Sequence, residues 1–287
     1  LNLLGSVMSA PQSDVLNIET YPISEEKDIG EIAWVTINRP EKLNALNSEV
    51  MSSIKAMVAW AESTNSVRVV VVTGAQPSPP PEGKRAKPNA FVAGADITEF
   101  VGKNSEEIRE KFTDNAVEAL WGLSKPTLAM IDGFALGGGC EVACSCDVRI
   151  ASERSRFGTP EINLGLIPGY GATQRLVEIV GLGKTMEMIM TGEMIDANEA
   201  HRIGLANHVC SPEELHSFTL NMARTIGGKS SHTLRVGKAT IRAALDTGLT
   251  EGIAIEAESF AELFDSKDQE IGVDAFLNRT SPEWEHK

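Results

Sequence analysis

Residues 67–73 read VRVVVVT, and four consecutive valines leave a strand no face to turn to water. Such a strand must be covered on both sides, the condition of a parallel sheet packed between other layers. The residues before it supply the rest of a βαβ unit. Residues 32–37 (IAWVTI) are apolar and largely β-branched and predict a strand. Val50, Ile54, Met57, Val58 and Ala61 fall at helical spacing and predict a helix over 48–61, with Ser48 as its N-cap. Strand, helix and second buried strand place the chain in the α/β class.

Further strands are predicted at 126–131 and 147–151. Pro77, Pro79, Pro80, Pro81 and Pro88 crowd residues 76–89, and a segment so short of backbone donors is an exposed loop. From Gly171 the pattern turns helical, with helices predicted over 172–180, 184–190, 197–203, 212–226, 233–244, 250–264 and 268–277. Residues 1–30 are polar and weakly patterned and read as an N-terminal extension. A length of 287 residues permits one large domain or two, and neither a fixed-period repeat nor a low-complexity linker divides the chain.

Charge narrows the function classes. Against 40 acidic residues stand 26 basic ones, a net of −14, so a broad nucleic-acid footprint is not expected. No apolar run approaches the roughly 18 residues of a membrane span, and no membrane partner is expected. Lys27 is the first basic residue, so neither a secretory nor a mitochondrial leader is expected; Met8 reads as the native start, behind leader residues 1–7. Cys140, Cys144 and Cys146 crowd one segment and Cys210 stands alone, which suits reduced thiols in a cytoplasm. The three could be spelled as a zinc cluster, but small thiols on an apolar helix are ordinary core residues, and no metal is expected. The string GLGKT at 181–185 mimics the end of a phosphate loop, yet Glu178 stands where that motif needs glycine.

Three segments can carry chemistry. In FVAGAD (91–96), Asp96 and Glu99 have capping-box spacing, which predicts a helix starting just after Ala95. In GFALGGGCE (133–141), a glycine-rich turn runs from a strand into a helix with Glu141 in its first turn. The third, FGTPE (157–161), leads to IPGYG (167–171). Helix starts present unpaired N–H groups, and two of them converging on one carbonyl oxygen would make an oxyanion hole. Glu141 and Glu161 could flank the same substrate. Alone, each has a plainer reading: Glu141 complements a helix dipole, and small residues at Ala95 and Gly138 permit close packing.

Four strings in order change that balance. INRPEKLNALN (37–47), FVAGADITEF (91–100), GFALGGGCE and FGTPEINLGLIPGYGATQRL (157–176) resemble the crotonase, or enoyl-CoA hydratase/isomerase, superfamily. The likeness runs from about residue 32 to 279 and includes FDSKDQEIGVDAF (264–276). The resemblance implies an α/β fold of the crotonase type, a spiral of ββα units over 31–210 holding an acyl-CoA site. A helical region at 211–287 would join copies into a homotrimer or dimer of trimers. It implies that the N–H groups of Ala95 and Gly138 hold a thioester oxygen and that Glu141 and Glu161 are the catalytic carboxylates. Lys42, Leu43, Ala93, Asp96 and Ile97 match positions lining the coenzyme A groove, with Gly169 and Phe264 also placed at the substrate. Coenzyme A arrives as part of the substrate; no separate cofactor is implied.

Possession of both carboxylates points to reversible hydration of a short-chain 2-enoyl-CoA, or dehydration of a small 3-hydroxyacyl-CoA such as 3-hydroxypropionyl-CoA. By the same resemblance Glu141 would take a proton from water and Glu161 would protonate C2, its own pKa raised by Ile162, Leu164 and Leu166; the opposite assignment of the two carboxyls stays open. An enoyl-CoA isomerase or other acyl-CoA lyase is the alternative enzyme, and a non-catalytic CoA- or RNA-binding relative the alternative outside enzymes. Loop 76–89 departs from the family, being roughly ten residues longer than expected. Its Lys84, Arg85 and Lys87 form a basic island expected to meet the phosphates of coenzyme A.

Overall fold

The valine run lies inside a six-stranded sheet in the computed structural model, which describes residues 9–80 and 82–287. Segment 1–7, the expected start at Met8 and loop residue Pro81 lie outside the described residues. The chain opens with β1 (Leu16–Pro22), β2 (Glu31–Ile37), α1 (Ser48–Ser63), β3 (Val67–Gly74) and β4 (Ala90–Ala93). Next come α2 (Ser105–Thr113), α3 (Ala116–Gly122), β5 (Thr127–Ile131), β6 (Phe134–Leu136), α4 (Gly138–Ser145), β7 (Val148–Ser152) and β8 (Arg156–Gly158). The remainder is α5 (Ala172–Val180), α6 (Leu182–Thr191), β9 (Ile195–Asp196), α7 (Ala197–Arg202), β10 (His208–Cys210), α8 (Pro212–Gly227), α9 (Ser231–Ala243), α10 (Leu249–Glu262) and α11 (Lys267–Asn278).

Two sheets alternate along the chain. The larger has the order β1-β2-β3-β5-β7-β10 and the smaller β4-β6-β8-β9. Thus β3, β5 and β7 each hand the chain to a short strand of the second sheet, which makes the spiral of ββα units. Every pairing is parallel except β1 with β2 and β8 with β9. The valine strand faces two cores, as its composition demands. Val67, Val70 and Val72 pack with Ile54 and Met57 of α1, Phe91 of β4 and Val142 of α4. Val69 and Val71 pack with Trp34, Leu128 and, from α8, Leu215 and Ala223.

The helices after Gly171 lie within a few residues of the predicted ranges; α5 coincides with its own. Differences arise where elements are short or their signals weak. Strand β1 falls within residues 1–30, where only Leu16 of its seven residues is fully buried, so an edge strand carried little apolar pattern. Strands β6, β8, β9 and β10 have three residues or fewer, too few to show a period. The N-cap of α1 is Asn47, not Ser48: the Asn47 side chain accepts from Val50 N–H at 3.0 Å, and Ser48 Oγ donates to Glu99 at 2.9 Å.

Two local devices hold the site-bearing turns. Asn44 is fully buried with φ 59°, accepts from Arg39 N–H, and donates to the carbonyls of Ala75 and Ala90. It stitches the 39–47 turn to the ends of β3 and β4. Gly139 brings α4 against β4 so closely that a Cβ there would overlap the Val92 carbonyl. Backbone on both sides cannot yield, so G139A is expected to cost about 3 kcal/mol, at or above the upper end for overpacked cores. A melting temperature within a degree or so of wild type would show that α4 can retreat from β4 without penalty.

Candidate active site

The first wall of the site comes from a single parallel bridge. Leu46 N–H donates to Gly94 C=O at 2.9 Å, and Asp96 N–H donates to Leu46 C=O at 2.7 Å. Ala95 is the residue opposite Leu46, so its own N–H points away from that pairing. The second wall is the start of α4. Gly138 is its first residue, and a first-turn N–H has no intrahelical acceptor. These two backbones meet: the point where a Gly138 Cβ would stand is 3.5 Å from Ala95 N.

Gly137 makes the approach possible. Its φ of 52° and ψ of −122° suit glycine alone, and its N–H donates to Gly158 C=O at 2.9 Å. Glu161 Oε1 lies 2.8 Å from the point a Gly137 Cβ would occupy, so the carboxyl rests on the turn that opens α4. Glu161 itself belongs to a 3-10 turn, Pro160–Leu164, that follows β8.

The two carboxyls have different surroundings. Glu141 is 1% exposed, and its Oε1 accepts from the N–H groups of Tyr170 (2.7 Å) and Ala172 (3.0 Å). Burial pushes its pKa up to about 7; the Glu161 charge adds to the rise, while the two amides and Arg175 oppose it. Glu161 is also pushed up by burial, and its Oε2 is buried with no hydrogen-bond partner among the described residues. The cause differs from the one read in the sequence. Ile162, Leu164 and Leu166 are 41%, 56% and 45% exposed, so these side chains turn outward and do not form the apolar pocket read from the sequence.

The remaining expected residues are placed unevenly. Leu43 has φ 51° and its carbonyl accepts from Ala93 N–H at 3.0 Å, joining two of the expected groove segments. Lys42 is exposed at the end of the 3-10 turn Pro40–Lys42, and Ile97 is half-exposed. The Asp96 carboxylate bonds Arg39 at 3.1 Å and also Thr98, which hold its pKa below the usual range. The capping box expected here does not form. A single 3-10 turn, Ile97–Phe100, follows Asp96, and Glu99 bonds Ser48 N–H and pairs with Lys111. The Ala95 N–H is therefore freed by a bridge rather than by a helix start.

Gly169 lies against the Phe112 ring, which stacks on Tyr170 at 4.4 Å and 3°. Phe264 is exposed in the C-terminal helices, edge-on to Phe260. Loop 76–89 folds back at its far end: Lys87 Nζ donates to Glu41 C=O at 3.1 Å, beside Lys42. Cys140, Cys144 and Cys146 are buried free thiols, and among the described residues no three His, Cys, Asp or Glu side chains group as metal ligands. The amides of Tyr170 and Ala172, which hold Glu141, were not anticipated. The left-handed Gly171 between them (φ 104°) was their one sequence signal.

The profile of the family described as enoyl-CoA hydratase/isomerase matches residues 28–287. A short-chain-enoyl-CoA hydratase of Clostridium acetobutylicum is 40% identical over 253 residues, covering 87% of this chain and 92% of its own. A crotonyl-CoA hydratase of Syntrophomonas wolfei is 37% identical over 250 residues, covering 86% and 92%. Among solved structures, an enoyl-CoA hydratase from Bacillus anthracis superposes with a TM-score of 0.83 at 29% identity, covering 94% of this chain and 100% of that one.

The raised pKa of Glu141 has a sign that stability can report. A group shifted from 4.5 to about 7 on folding favours the fold fully below pH 4.5, and that contribution is lost as pH rises through about 7. Ionised Glu141 therefore costs the fold about 3 kcal/mol at alkaline pH. In E141Q the amide oxygen can still accept from Tyr170 and Ala172 without carrying charge. Denaturant unfolding is expected to show E141Q more stable than wild type by up to that amount near pH 8.5 and no such advantage near pH 5. Equal gaps at both would refute a desolvated carboxyl at this position.

Proposed function

The chain belongs to the enoyl-CoA hydratase/isomerase family, and on that premise we propose that it is a hydratase adding water reversibly to a short-chain 2-enoyl-CoA. A crotonyl-CoA-like thioester would yield the 3-hydroxyacyl-CoA; run in reverse, a small substrate such as 3-hydroxypropionyl-CoA would lose water. The observation that carries this reading is a buried, amide-bonded carboxyl and a half-buried one with an unpartnered oxygen, beside two adjoining backbone N–H groups.

Water addition needs a base at one carbon, an acid at the next and relief of charge on the thioester oxygen. Two backbone donors favour the ionised form of Glu141, which supports it as the group that takes a proton from water. As hydroxide attacks C3, the electron pair of the double bond moves toward the thioester and charge gathers on its oxygen. The N–H groups of Ala95 and Gly138 would receive that charge, and losing one such donor typically costs about 10²–10³ in rate. Glu161, whose Oε2 meets no donor, would keep its proton until C2 takes it. In the reverse direction the roles exchange. One proton shared by the pair is thus the working state both ways, and the apparent pKa values belong to the pair.

Coenzyme A would enter as part of the substrate along Lys42, Leu43, Ala93, Asp96 and Ile97. The return of Lys87 to Glu41 supports placing the basic loop over the phosphate end. Self-association as a homotrimer or dimer of trimers is supported by apolar side chains left outward on the last helices, Leu249 and Phe276 being more than four-fifths exposed. Three buried thiols support a reducing, cytoplasmic setting. Among the described residues no helix is long and apolar enough to cross a membrane.

The test is loss of crotonyl-CoA absorbance on adding the protein. E141Q and E161Q are each expected to lower kcat by about 10²–10⁴. Wild-type activity should change as pH passes about 7, where Glu141 exchanges its proton, and both limbs of the profile belong to the carboxyl pair rather than to either group alone. If E141Q instead keeps most of the turnover of a double-bond shift, the chain is an isomerase. Changing Lys84, Arg85 and Lys87 together to Ala should raise KM at low salt, with the gap closing as salt screens the charges. A KM untouched at every ionic strength would remove the loop from the substrate.

A further inference from the structure

Arg175 takes no part in the reaction as derived, yet it is built into the turn that holds Glu141. Its backbone N–H donates to Gly171 C=O at 2.9 Å, and one guanidinium nitrogen donates to Tyr170 C=O at 2.9 Å. Another donates to Glu118 at 2.7 Å, and the guanidinium lies 4.6 Å from the centre of the Trp121 ring. Arg242 lies over the same ring at 3.7 Å. Gly171 has no room for a side chain because the Arg175 guanidinium fills the place a Cβ would take. Tyr170 is consequently engaged from both ends of its backbone: its N–H binds Glu141 and its C=O binds Arg175.

We propose that Arg175 is a positioning residue for Glu141, fixing the Tyr170–Gly171–Ala172 turn so that both amides stay on the carboxylate. The inference rests on the hydratase reading for its kinetic consequence but not for its geometry. A fork reaching a carbonyl and a carboxylate at once is a property of guanidinium that an ammonium lacks. The side chain is almost wholly enclosed, so the charge acts on Glu141 with little screening. The other ionisable groups facing Glu141 are Glu161 from the turn after β8, Tyr170, and Cys140 and Cys144 on its own helix. Glu118 on α3 faces it through Arg175. Arg175 supplies the positive charge that acts on Glu141, and it opposes the rise that burial imposes.

The experiment compares R175Q, R175K and E118Q with wild type in kcat, KM and pH profile on crotonyl-CoA. R175Q is expected to lose about 10² in kcat from the misplaced carboxylate, with KM little changed. Its low-pH limb should move upward by about one pH unit, because the charge favouring ionised Glu141 is gone. R175K should keep the limb near wild type while kcat still falls, since lysine retains the charge without the fork. E118Q should move the limb the other way, downward, because the carboxylate that offsets the guanidinium's charge is then gone. A purely structural role would lower kcat or stability without moving any limb. Should R175Q fail to fold, an unmoved limb in E118Q overturns the proposal.

A readout without turnover separates this proposal from the hydratase reading. The Glu141 carboxyl can be followed by ¹³C NMR titration and assigned by its disappearance in E141Q. If wild type does not hydrate crotonyl-CoA but R175Q still raises that titration midpoint, the function is wrong and the positioning role stands. An identical midpoint in folded R175Q and wild type overturns the positioning role, whatever the activity.

Discussion

The close approach of α4 to β4 is the constraint on which the site depends. Gly137 supplies a backbone conformation other residues avoid, Gly138 leaves its flank open to Ala95, and Gly139 lets the Val92 carbonyl press against the helix. Side chains at these three positions would push the helix outward, separating Ala95 from Gly138 and lifting Glu141 away from the amides of Tyr170 and Ala172. At this point of the spiral a short strand of the second sheet, β6, passes through Gly137 directly into α4.

Having brought backbone so close, the fold encloses one acid, Glu141, and half-buries a second, Glu161. A carboxylate in such a place is expensive, and the structure meets the expense differently at each. Glu141 receives two amides and an opposing guanidinium; Glu161 receives neither at Oε2 and is driven toward its neutral form. Unequal environments around two similar groups would let the proposed site hold a base and an acid at the same pH. Burying them gives up stability, and the two cores on either side of the valine strand supply apolar burial that offsets it.

Much of this was legible in the sequence. The valine run demanded cover on both faces, and the structure provides two cores. Amphipathic spacing located the C-terminal helices, and the family strings marked the residues that meet at the carboxyl pair. What escaped depends on tertiary placement. Strand β1 shows little alternation because it lies at a sheet edge. Glu99 has capping-box spacing from Asp96 but finds Ser48 and Lys111 on other elements. Ile162, Leu164 and Leu166 look like an apolar pocket in one dimension and face outward in three. The amides that hold Glu141 carry no side-chain signature, because any residue offers an N–H; only the left-handed Gly171 hinted that the chain bends there.

Charge distribution completes the argument. The chain carries a net −14, an unfavourable background for the polyanionic substrate proposed. Long-range attraction cannot bring such a ligand in, so recognition must rest on short-range groups inside the screening length. The structure gathers cations where the proposed groove begins: Lys42 on the 39–47 turn, and Lys87 on the extended loop, bonded to the adjacent Glu41 carbonyl. That single bond ties the far end of loop 76–89 to the 39–47 turn. A loop held this way would add charge at the mouth of the proposed groove and leave the carboxyls, set on α4 and the turn after β8, untouched.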